Sequence, residues 1–173
     1  MIGAADSASR ARLQTAFAEA CYWLLPSALN RRPVGDERLD PTALRQAGWI
    51  RTRLGQASPA LAARLQAYGV QRAQLLTACN PQGRPADPAS NQRAMRRLES
   101  VLNQGQQAWL AGLAMAESGG WREPGCLLLG ADALQAAHWA QEFDQAAWVE
   151  YDADGQGRLH WTADSATGEN LWC

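Results

Sequence analysis

The stretch Leu75–Pro85 constrains the fold of this 173-residue chain most strongly, because an apolar run ends there in a rigid loop. The run closes on Asn80-Pro81, and a glycine, an arginine and a second proline follow within four residues. A short apolar run bounded by proline and glycine predicts a buried strand that leads into a constrained loop. Proline disfavours the helical region for the residue before it, which predicts an extended backbone at Asn80. A functional site of this chain is expected at that loop.

The composition is that of a folded domain with a near-neutral surface. Hydrophobic residues make up 47% of the chain, charged residues 19%, and the net charge is −1. This length predicts a single domain, residues 1–173, and the charge favours neither nucleic acid nor a membrane as a partner. All 16 basic residues are arginine, which excludes enzymes that depend on a Schiff-base or P-loop lysine.

Cysteines and histidines form no ligand pattern in the sequence. The four cysteines are widely spaced, no Cys-x-x-Cys occurs, and His138 and His160 lie far apart. We therefore expect no metal site, no cofactor, and free thiols in a reducing compartment. The first residues are small and polar, and no apolar run reaches membrane length, so we expect a cytoplasmic protein.

Hydrophobic periodicity and turn residues divide the chain into helices and strands. Residues 21–25 fit either the end of the first helix or a strand, and 26–46 are predicted as a loop with one helical turn at 41–46. A turn is predicted at 117–120. The predicted helices are 7–20, Ser58-Pro59 to Gly69, 90–103 and 131–143, and the predicted strands are 49–54, 73–78, 107–115, 126–129, 146–151 and 158–161.

The order of these elements predicts the fold class. From residue 73 to residue 151 the order is strand, helix, strand, strand, helix, strand, which is that of a ferredoxin-like split βαβ unit. We therefore predict an α+β domain with a ferredoxin-like core at 47–161, which includes an additional strand–helix unit and a C-terminal hairpin strand. An N-terminal helix and loop at 1–46 precede this core, and a flexible polar tail at 162–173 follows it.

Strand direction predicts which loops share one edge of the sheet. If the strand at 73–78 runs upward, each following element reverses direction, and every second connection returns to the same edge. Asn80, Glu123 and Gln145 should then lie within about 10–12 Å of one another, because strands are spaced about 4.8 Å apart. Four segments are predicted at this edge: 55–58, 80–91, 117–123 and 144–145.

Polar side chains on and beside these loops suit a ligand site. Amide groups donate and accept hydrogen bonds, guanidinium groups bind carboxylate or phosphate with two donors, and loops on a rigid scaffold commonly carry function. The same side chains also serve to hold loop backbone or to pair with surface acids, and both interpretations stay open. The candidate ligand-binding residues are Thr77, Asn80, Arg84, Asn91, Arg93, Trp121 and Gln145.

Glu123 is the candidate catalytic acid or base. Trp121 and Pro124 are close to it in sequence, and loss of water there raises a carboxyl pKa toward a catalytically useful range. The alternative is a carboxylate that accepts backbone N–H groups and holds its loop. Cys79 is a weaker candidate, as a nucleophile, because no histidine base is assured beside it, and a buried inert thiol is the favoured interpretation.

Several short motifs occur in order along the chain: Thr77-Ala78-x-Asn80-Pro81, Asn91 at a helix start, Trp121-x-Glu123 before an apolar strand and Gly130, and Phe143-x-Gln145-x-Ala147. Over roughly residues 49–161 they resemble the bacterial family called domain of unknown function 3293. The family's name states no activity, so the resemblance implies only that its marked positions are those predicted at one edge of the sheet. This chain has Asp144 and Ala146 where a glycine and an asparagine or aspartate are more typical of the family.

These observations favour a binding or regulatory module that recognises a small polar or anionic ligand, or a protein partner, at the predicted edge. The alternative is a hydrolase- or transferase-like enzyme with Glu123 as the general acid or base. A third hypothesis is a protein-interaction domain of the immunity or adaptor type. Asparagine, glutamine and glutamate occur together in the motifs without an evident nucleophile or metal, which favours binding over catalysis.

Overall fold

The computed structural model describes residues 4–33, 40–117 and 121–163. Residues 118–120 of the predicted turn and residues 164–173 of the predicted tail lie outside the described residues. No helix in the described part of the chain is long and apolar enough to cross a membrane. The helices are α1 (Ala4–Glu19), α2 (Pro41–Gln46), α3 (Pro59–Ala67), α4 (Pro88–Gln104) and α5 (Ala133–Glu142), and the strands are β1 (Ala20–Leu29), β2 (Ile50–Thr52), β3 (Ala73–Leu76), β4 (Trp109–Ala116), β5 (Arg122–Leu129), β6 (Ala147–Tyr151) and β7 (Gly157–Trp161).

Capping residues determine where two of the helices begin. The Ser58 hydroxyl accepts a hydrogen bond from the first turn of α3, and Pro59 is the first residue of that helix, as the sequence predicts. α4 begins slightly earlier than predicted, because the Asp87 carboxylate accepts from the Ser90 amide and Pro88 opens the helix. This cap orients α4 where it leaves the loop after β3.

Residues 20–29 form β1, which resolves the choice between helix and strand that the sequence leaves open at 21–25. β1 lies between β2 and β4, and Tyr22 pairs with Thr52 on one side and with Ala114 on the other. The loop predicted from residue 26 onward is wrong for 26–29. Both partners of β1 are distant in sequence, so local pattern alone does not reveal the strand.

The strands of the described residues form one sheet in the order β2-β1-β4-β5-β3-β6-β7, and every neighbouring pair is antiparallel. β5 lies between β3 and β4, which therefore run parallel to each other and are connected through α4. The α+β class predicted from the order of elements is confirmed.

The sheet is curled, so that its two outer strands approach each other. Leu54, just after β2, forms a parallel bridge with Gly157 at the start of β7. The backbone amide of Gly55 also donates to the carbonyl of Gly157 at 2.9 Å. Inside the curl, the hydroxyl groups of Thr52 and Tyr151 lie 2.7 Å apart. The curl therefore brings the end of β2 against the start of β7 and the end of β6.

One of the four segments predicted at the shared edge lies elsewhere. Residues 55–58 contact the hairpin between β6 and β7, where the Ser58 amide donates to the Asp154 carbonyl at 3.2 Å. That hairpin lies near the start of β3, since the last residue of β6 pairs with the first residue of β3, whereas Asn80 follows the end of β3. The prediction for 55–58 is wrong because the curl carries the end of β2 to the start of β7.

Hydrophobic residues pack on both faces of the sheet. On the inner face of the curl, Leu61 and Leu65 of α3 pack in one cluster with Leu75 of β3. The other face is covered by α2, α4 and α5, and its cluster includes the buried side chains of Leu98 and Phe143. These two layers hold the ends of β3, β5 and β6 in fixed positions relative to one another.

Candidate functional site

A polar network forms where β3 ends. Asn80 donates through Nδ2 to Oε1 of Glu123 at 2.6 Å, and its Oδ1 accepts from Nδ2 of Asn91 and from the amide of Ala86, each at 2.9 Å. Asn91 returns the contact, since its Oδ1 accepts from the backbone amide of Asn80 at 2.8 Å. The Asn80 side chain therefore connects the start of β5, the loop after β3 and the first turn of α4.

The backbone of Asn80 is left-handed, with φ 48° and ψ 63°, so the predicted extended conformation is wrong. The preference of a residue before proline for extended backbone is local. The three hydrogen bonds of the Asn80 side chain outweigh it, and asparagine enters the left-handed region more readily than most residues other than glycine. Pro81 then begins a short 3₁₀ turn that ends at Gly83.

Burial controls the ionisation of Glu123. Its carboxyl group is partly buried, and loss of water raises its pKa above the usual 4.5, while the hydrogen bond from Asn80 opposes the rise. Within the described residues, no hydrogen bond is formed to its second oxygen, Oε2. The pKa of Tyr22 is raised mainly by burial, and the charges of Tyr151 and Glu123 raise it further. The Tyr22 phenol is therefore close enough to the Glu123 carboxylate to interact with its charge.

Gln145 lies beside this network. Its side chain is buried, with 4% exposure, and its Nε2 donates to the carbonyl oxygens of Cys79 and Phe143 at 3.1 Å each. Together with the bond between Asn80 and Glu123, this contact to the residue before Asn80 confirms that Asn80, Glu123 and Gln145 lie together. The amide nitrogen of Gln145 serves loop backbone, which is the alternative that the sequence leaves open.

Three other candidate residues have separate surroundings. The Thr77 hydroxyl donates to the carbonyl of Pro124 at 2.8 Å and so fastens the end of β3 to β5. Arg93 is exposed on α4 and donates to the Ser90 hydroxyl at 2.8 Å, outside the Asn80 network. Trp121 packs against the hydrophobic cluster on the inner face of the sheet.

A cleft of about 930 Å³ lies next to the Asn80 loop, and we name it the α1–β7 cleft. Its walls come from α1, the 3₁₀ turn after Asn80, the last residues of α5 with the loop that follows, and the end of β7. Arg84 and Gln145 are the candidate residues from the sequence that line it. Asn80 and Glu123 are not among the described residues that line it.

Helix α1 closes one side of the cleft by packing on the turn and on β7. Leu13 sits directly on Gly83, and any side chain at position 83 would collide with it. Phe17 meets the Trp161 ring edge-on at a centroid distance of 6.2 Å, and the Arg10 guanidinium lies 4.7 Å from the centre of the same ring. These contacts hold α1 against the turn after β3 and against β7.

Two hydrogen bonds between Gln82 and Asp144, which we name the Gln82–Asp144 clasp, lie on the opposite wall. The Gln82 amide donates to the Asp144 carbonyl at 2.9 Å, and Gln82 Nε2 donates to the Asp144 carboxylate at 2.7 Å. Both residues are left-handed, with φ 52° at Gln82 and φ 50° at Asp144. Such backbone costs roughly 1–2 kcal/mol per residue and is maintained where the surroundings determine it, which is common at functional sites.

Among the described residues, the charged side chains that line the cleft are mainly positive. Arg10, Arg12 and Arg84 contribute guanidinium groups, and Asp144 contributes a carboxylate. That carboxylate already accepts a hydrogen bond from Gln82. The local charge contrasts with the net charge of −1 for the whole chain, so the cleft is suited to anions.

Sequence reasoning missed the half of this cleft that α1 and β7 supply. Arg10, Arg12, Trp161 and Thr162 line it, yet none of them belongs to the loops predicted at the shared edge. The signal that was present is Arg10 and Arg12 beside Leu13, where two cations border the apolar stripe of a helix. Without knowledge of where α1 docks, that signal does not indicate a site.

The described residues offer neither a metal centre nor a reactive thiol at this site. Among residues 4–33, 40–117 and 121–163, no three histidine, cysteine, aspartate or glutamate side chains lie close enough to hold a metal ion. Cys79 and Cys126 are free and buried, and burial raises the pKa of Cys79 to about 11 and that of Cys126 to about 12. A nucleophilic role of Cys79 is not supported by these surroundings.

Comparison with known proteins supports the family resemblance. A family model described as "Protein of unknown function (DUF3293)" matches residues 76–148, which run from the end of β3 into β6. The match includes Asn80, Arg84, Glu123 and Gln145, whereas Arg10, on α1, lies outside it. Neither a curated protein nor a solved structure matches this chain.

Proposed function

We propose that the protein, which matches the DUF3293 family over residues 76–148, is a binding module for a small anionic ligand that occupies the α1–β7 cleft. The observation that carries the proposal is the cleft of about 930 Å³ with three guanidinium groups in its lining. Small-molecule sites are typically concave spaces of roughly 300–1,000 Å³ with a few convergent polar groups. Guanidinium groups hold carboxylate and phosphate through paired charge-assisted hydrogen bonds.

The rigidity of the cleft walls supports the proposal. The Gln82–Asp144 clasp joins the turn after β3 to the loop after α5, and Leu13 fixes α1 on that turn. A site that is formed before binding loses less conformational entropy when the ligand enters. Arg12 and Arg84 are exposed at the rim, where they can reorient toward an anion.

The strand order supports a finer classification of the fold as part of this proposal. We propose that the neighbouring strands β4-β5-β3-β6 form a ferredoxin-like split βαβ core, and the position of β5 between the parallel strands β3 and β4 supports this. In that arrangement the end of β3 and the beginning of β6 meet at the same edge. A cytoplasmic, regulatory role for such a ligand-binding module is the biological part of the proposal.

A second candidate function is an enzyme that uses Glu123 as a general acid or base. The observation in its favour is a partly buried carboxyl group with a raised pKa and one hydrogen bond, from Asn80. Turnover of a p-nitrophenyl ester or phosphate that Glu123→Gln abolishes would support it. The absence of turnover in wild type favours the binding module.

Among the described residues, the exposed large hydrophobic side chains are Leu29 and Leu134, on separate elements, so a protein-interaction surface has weaker support.

The proposal is tested with a panel of phosphate, citrate, lactate and propionate, using thermal shift and titration calorimetry. At ten times Kd, a ligand should stabilise the protein by about 1.4 kcal/mol, or roughly 3–6 °C in Tm for a chain of this size. The double variant Arg12→Gln/Arg84→Gln should raise Kd at least tenfold. The matched control is Arg64→Gln, which removes an exposed arginine of α3 outside the cleft lining. Absence of any Tm increase, or equal affinity of the double variant and the control, would contradict the proposal.

A further inference from the structure

We infer that Glu123 forms a second binding site and that this site takes the primary ammonium group of an organic cation. The contact atom on the protein is Oε2 of the Glu123 carboxylate, and Trp121 supplies an apolar wall beside it. The inference goes beyond the proposed function, because the ligand is a cation and neither residue is among those that line the α1–β7 cleft.

The first observation is a carboxylate oxygen that solvent reaches and that has no partner. Oε1 of Glu123 accepts from Nδ2 of Asn80 at 2.6 Å, and within the described residues no hydrogen bond is formed to Oε2. In the same part of the chain, the side-chain polar atoms that are both fully buried and unbonded are Trp23 Nε1 and Thr162 Oγ1. Oε2 is unbonded and is not one of these two atoms, so it is accessible to solvent and therefore to a ligand.

The second observation is that the Asn80 network fixes which carboxylate oxygen is left for a ligand. Oδ1 of Asn80 accepts from Asn91 Nδ2 and from the amide of Ala86, each at 2.9 Å. These two donors fix the orientation of the Asn80 amide group, so its nitrogen is the atom that faces Glu123. Oε1 is thereby committed to Asn80, and Oε2 is held in position before a ligand arrives, which lowers the entropic cost of binding.

The third observation is the lack of a compensating charge. The ion pairs between described residues do not include Glu123. Its pKa is raised by loss of water and lowered by the hydrogen bond from Asn80, and no cation contributes to either effect. Carboxylates that lose water in a folded protein are usually paired with a positive charge. A cation bound at Oε2 would supply this charge.

The neighbours of Glu123 on the sheet indicate what else the cation carries. Glu123 pairs with Ala114, and Ala114 packs in the hydrophobic cluster on the inner face of the sheet together with Trp121. The Ala116 amide donates to the Trp121 carbonyl at 3.1 Å, so the pairing of β4 and β5 continues to this residue. Trp121 therefore precedes Glu123 by two residues on the same face, about 7 Å along the strand. Both side chains are half-buried.

These surroundings define the chemical class of the ligand. An ionised carboxylate only accepts hydrogen bonds, so the ligand must donate, and a primary ammonium group supplies three N–H donors together with the positive charge. An indole ring attracts a cation and also packs against an alkyl chain. An alkylammonium ion carries both parts, whereas an alcohol lacks the charge and the ammonium ion lacks the chain.

The test is a titration of the full chain with propylammonium, the ammonium ion and propan-1-ol, followed by NMR of the Asn80 side-chain amide and the Trp121 indole N–H. Propylammonium should shift both signals until the site is saturated, with a Kd at least about tenfold lower than that of propan-1-ol, because hydrogen bonds to charged groups are the stronger ones. Its Kd should also be lower than that of the ammonium ion.

A matched pair of variants locates the cation. Glu123→Gln removes the charge but keeps an oxygen that can accept from Asn80, and it should raise the Kd of propylammonium about tenfold. Asp154→Asn is the control, because it makes the same chemical change at an exposed residue of the hairpin between β6 and β7. This variant should bind propylammonium as wild type does.

The outcomes test this inference separately from the anion site. Equal Kd values for propylammonium and propan-1-ol would overturn it, and a Kd of the ammonium ion as low as that of propylammonium would overturn the assigned ligand class. An unchanged Kd in folded Glu123→Gln would also overturn it, because the cation then binds elsewhere. If this variant does not fold, the wild-type Kd ratios and the two reporter signals decide. Failure of the anion panel contradicts the proposed function and leaves the cation site standing.

Discussion

Replacement of Asn80 by alanine should destabilise the protein far more than replacement of an ordinary loop residue. The substitution removes three hydrogen bonds: one donated to Glu123 Oε1 at 2.6 Å, and two accepted, at 2.9 Å each, from Asn91 and Ala86. It also places alanine at φ 48°, where its Cβ crowds the following carbonyl group. The loop between β3 and α4 would lose the side chain that holds it.

The expected loss of stability in Asn80→Ala is estimated from the lost hydrogen bonds and the strained backbone. Each neutral hydrogen bond contributes about 1 kcal/mol, and the bond to the carboxylate about 1.5–3 kcal/mol. Placing alanine in the left-handed region costs roughly 1 kcal/mol more. Because water enters the loop once the side chain is gone, we expect a net loss of about 3–5 kcal/mol, which is a large share of the 5–15 kcal/mol typical of a domain.

A matched variant separates the backbone from the hydrogen bonds. Asn80→Gly loses the same three bonds but has no Cβ, so it should be about 1 kcal/mol more stable than Asn80→Ala.

The loss of stability in Asn80→Ala should also depend on pH. The bond from Asn80 lowers the pKa of Glu123, so its loss raises that pKa further, and the variant loses most stability above both folded pKa values. Below them Glu123 is protonated in both proteins, and this part of the difference disappears.

Urea or guanidinium titration, followed by tryptophan fluorescence, measures these differences between pH 4 and pH 8. A loss below about 1 kcal/mol for Asn80→Ala would refute the network as a stabilising unit. A glycine variant no more stable than the alanine variant would refute the left-handed backbone at this position. A cost that does not change with pH would show that the contact with Glu123 contributes nothing beyond a neutral bond.

Three further outcomes are expected. Leu98→Ala and Phe143→Ala should each lower the free energy of unfolding by about 2–5 kcal/mol in denaturant titration, because both side chains are buried in the cluster between the sheet and the helices α2, α4 and α5. Denaturation midpoints close to that of wild type would show that these contacts contribute little to stability. Glu123→Gln should become progressively more stable than wild type as pH rises above 4.5, because the folded protein holds this proton more tightly than the unfolded chain; parallel pH profiles in thermal denaturation would exclude this. Cys79 and Cys126 should resist a thiol reagent in the native protein, since both are buried with pKa values of about 11 and about 12; rapid labelling without denaturant would contradict it.

Much of the local structure could be predicted from the sequence, because it depends on neighbouring residues. Ser58-Pro59 begins a helix where a hydroxyl cap precedes a proline, and the short helix predicted at 41–46 is present. The apolar stripe of α4, with Leu98 at its centre, follows from helical spacing alone. Alternating strand direction was enough to bring Asn80 and Glu123 together, since antiparallel neighbours place the end of one strand beside the start of the next.

Tertiary structure alone decided the features that join distant segments. β1 is a strand because β2 and β4 pair with it on both sides, and the curl carries residues 55–58 away from the predicted edge. Asn80 is left-handed because Glu123, Asn91 and Ala86 hold its side chain there against the local preference. The α1–β7 cleft exists because α1 docks on a turn and a strand that lie more than sixty residues further along the chain. Local pattern records what each residue prefers, whereas the positions of these partners depend on the packing of the whole sheet.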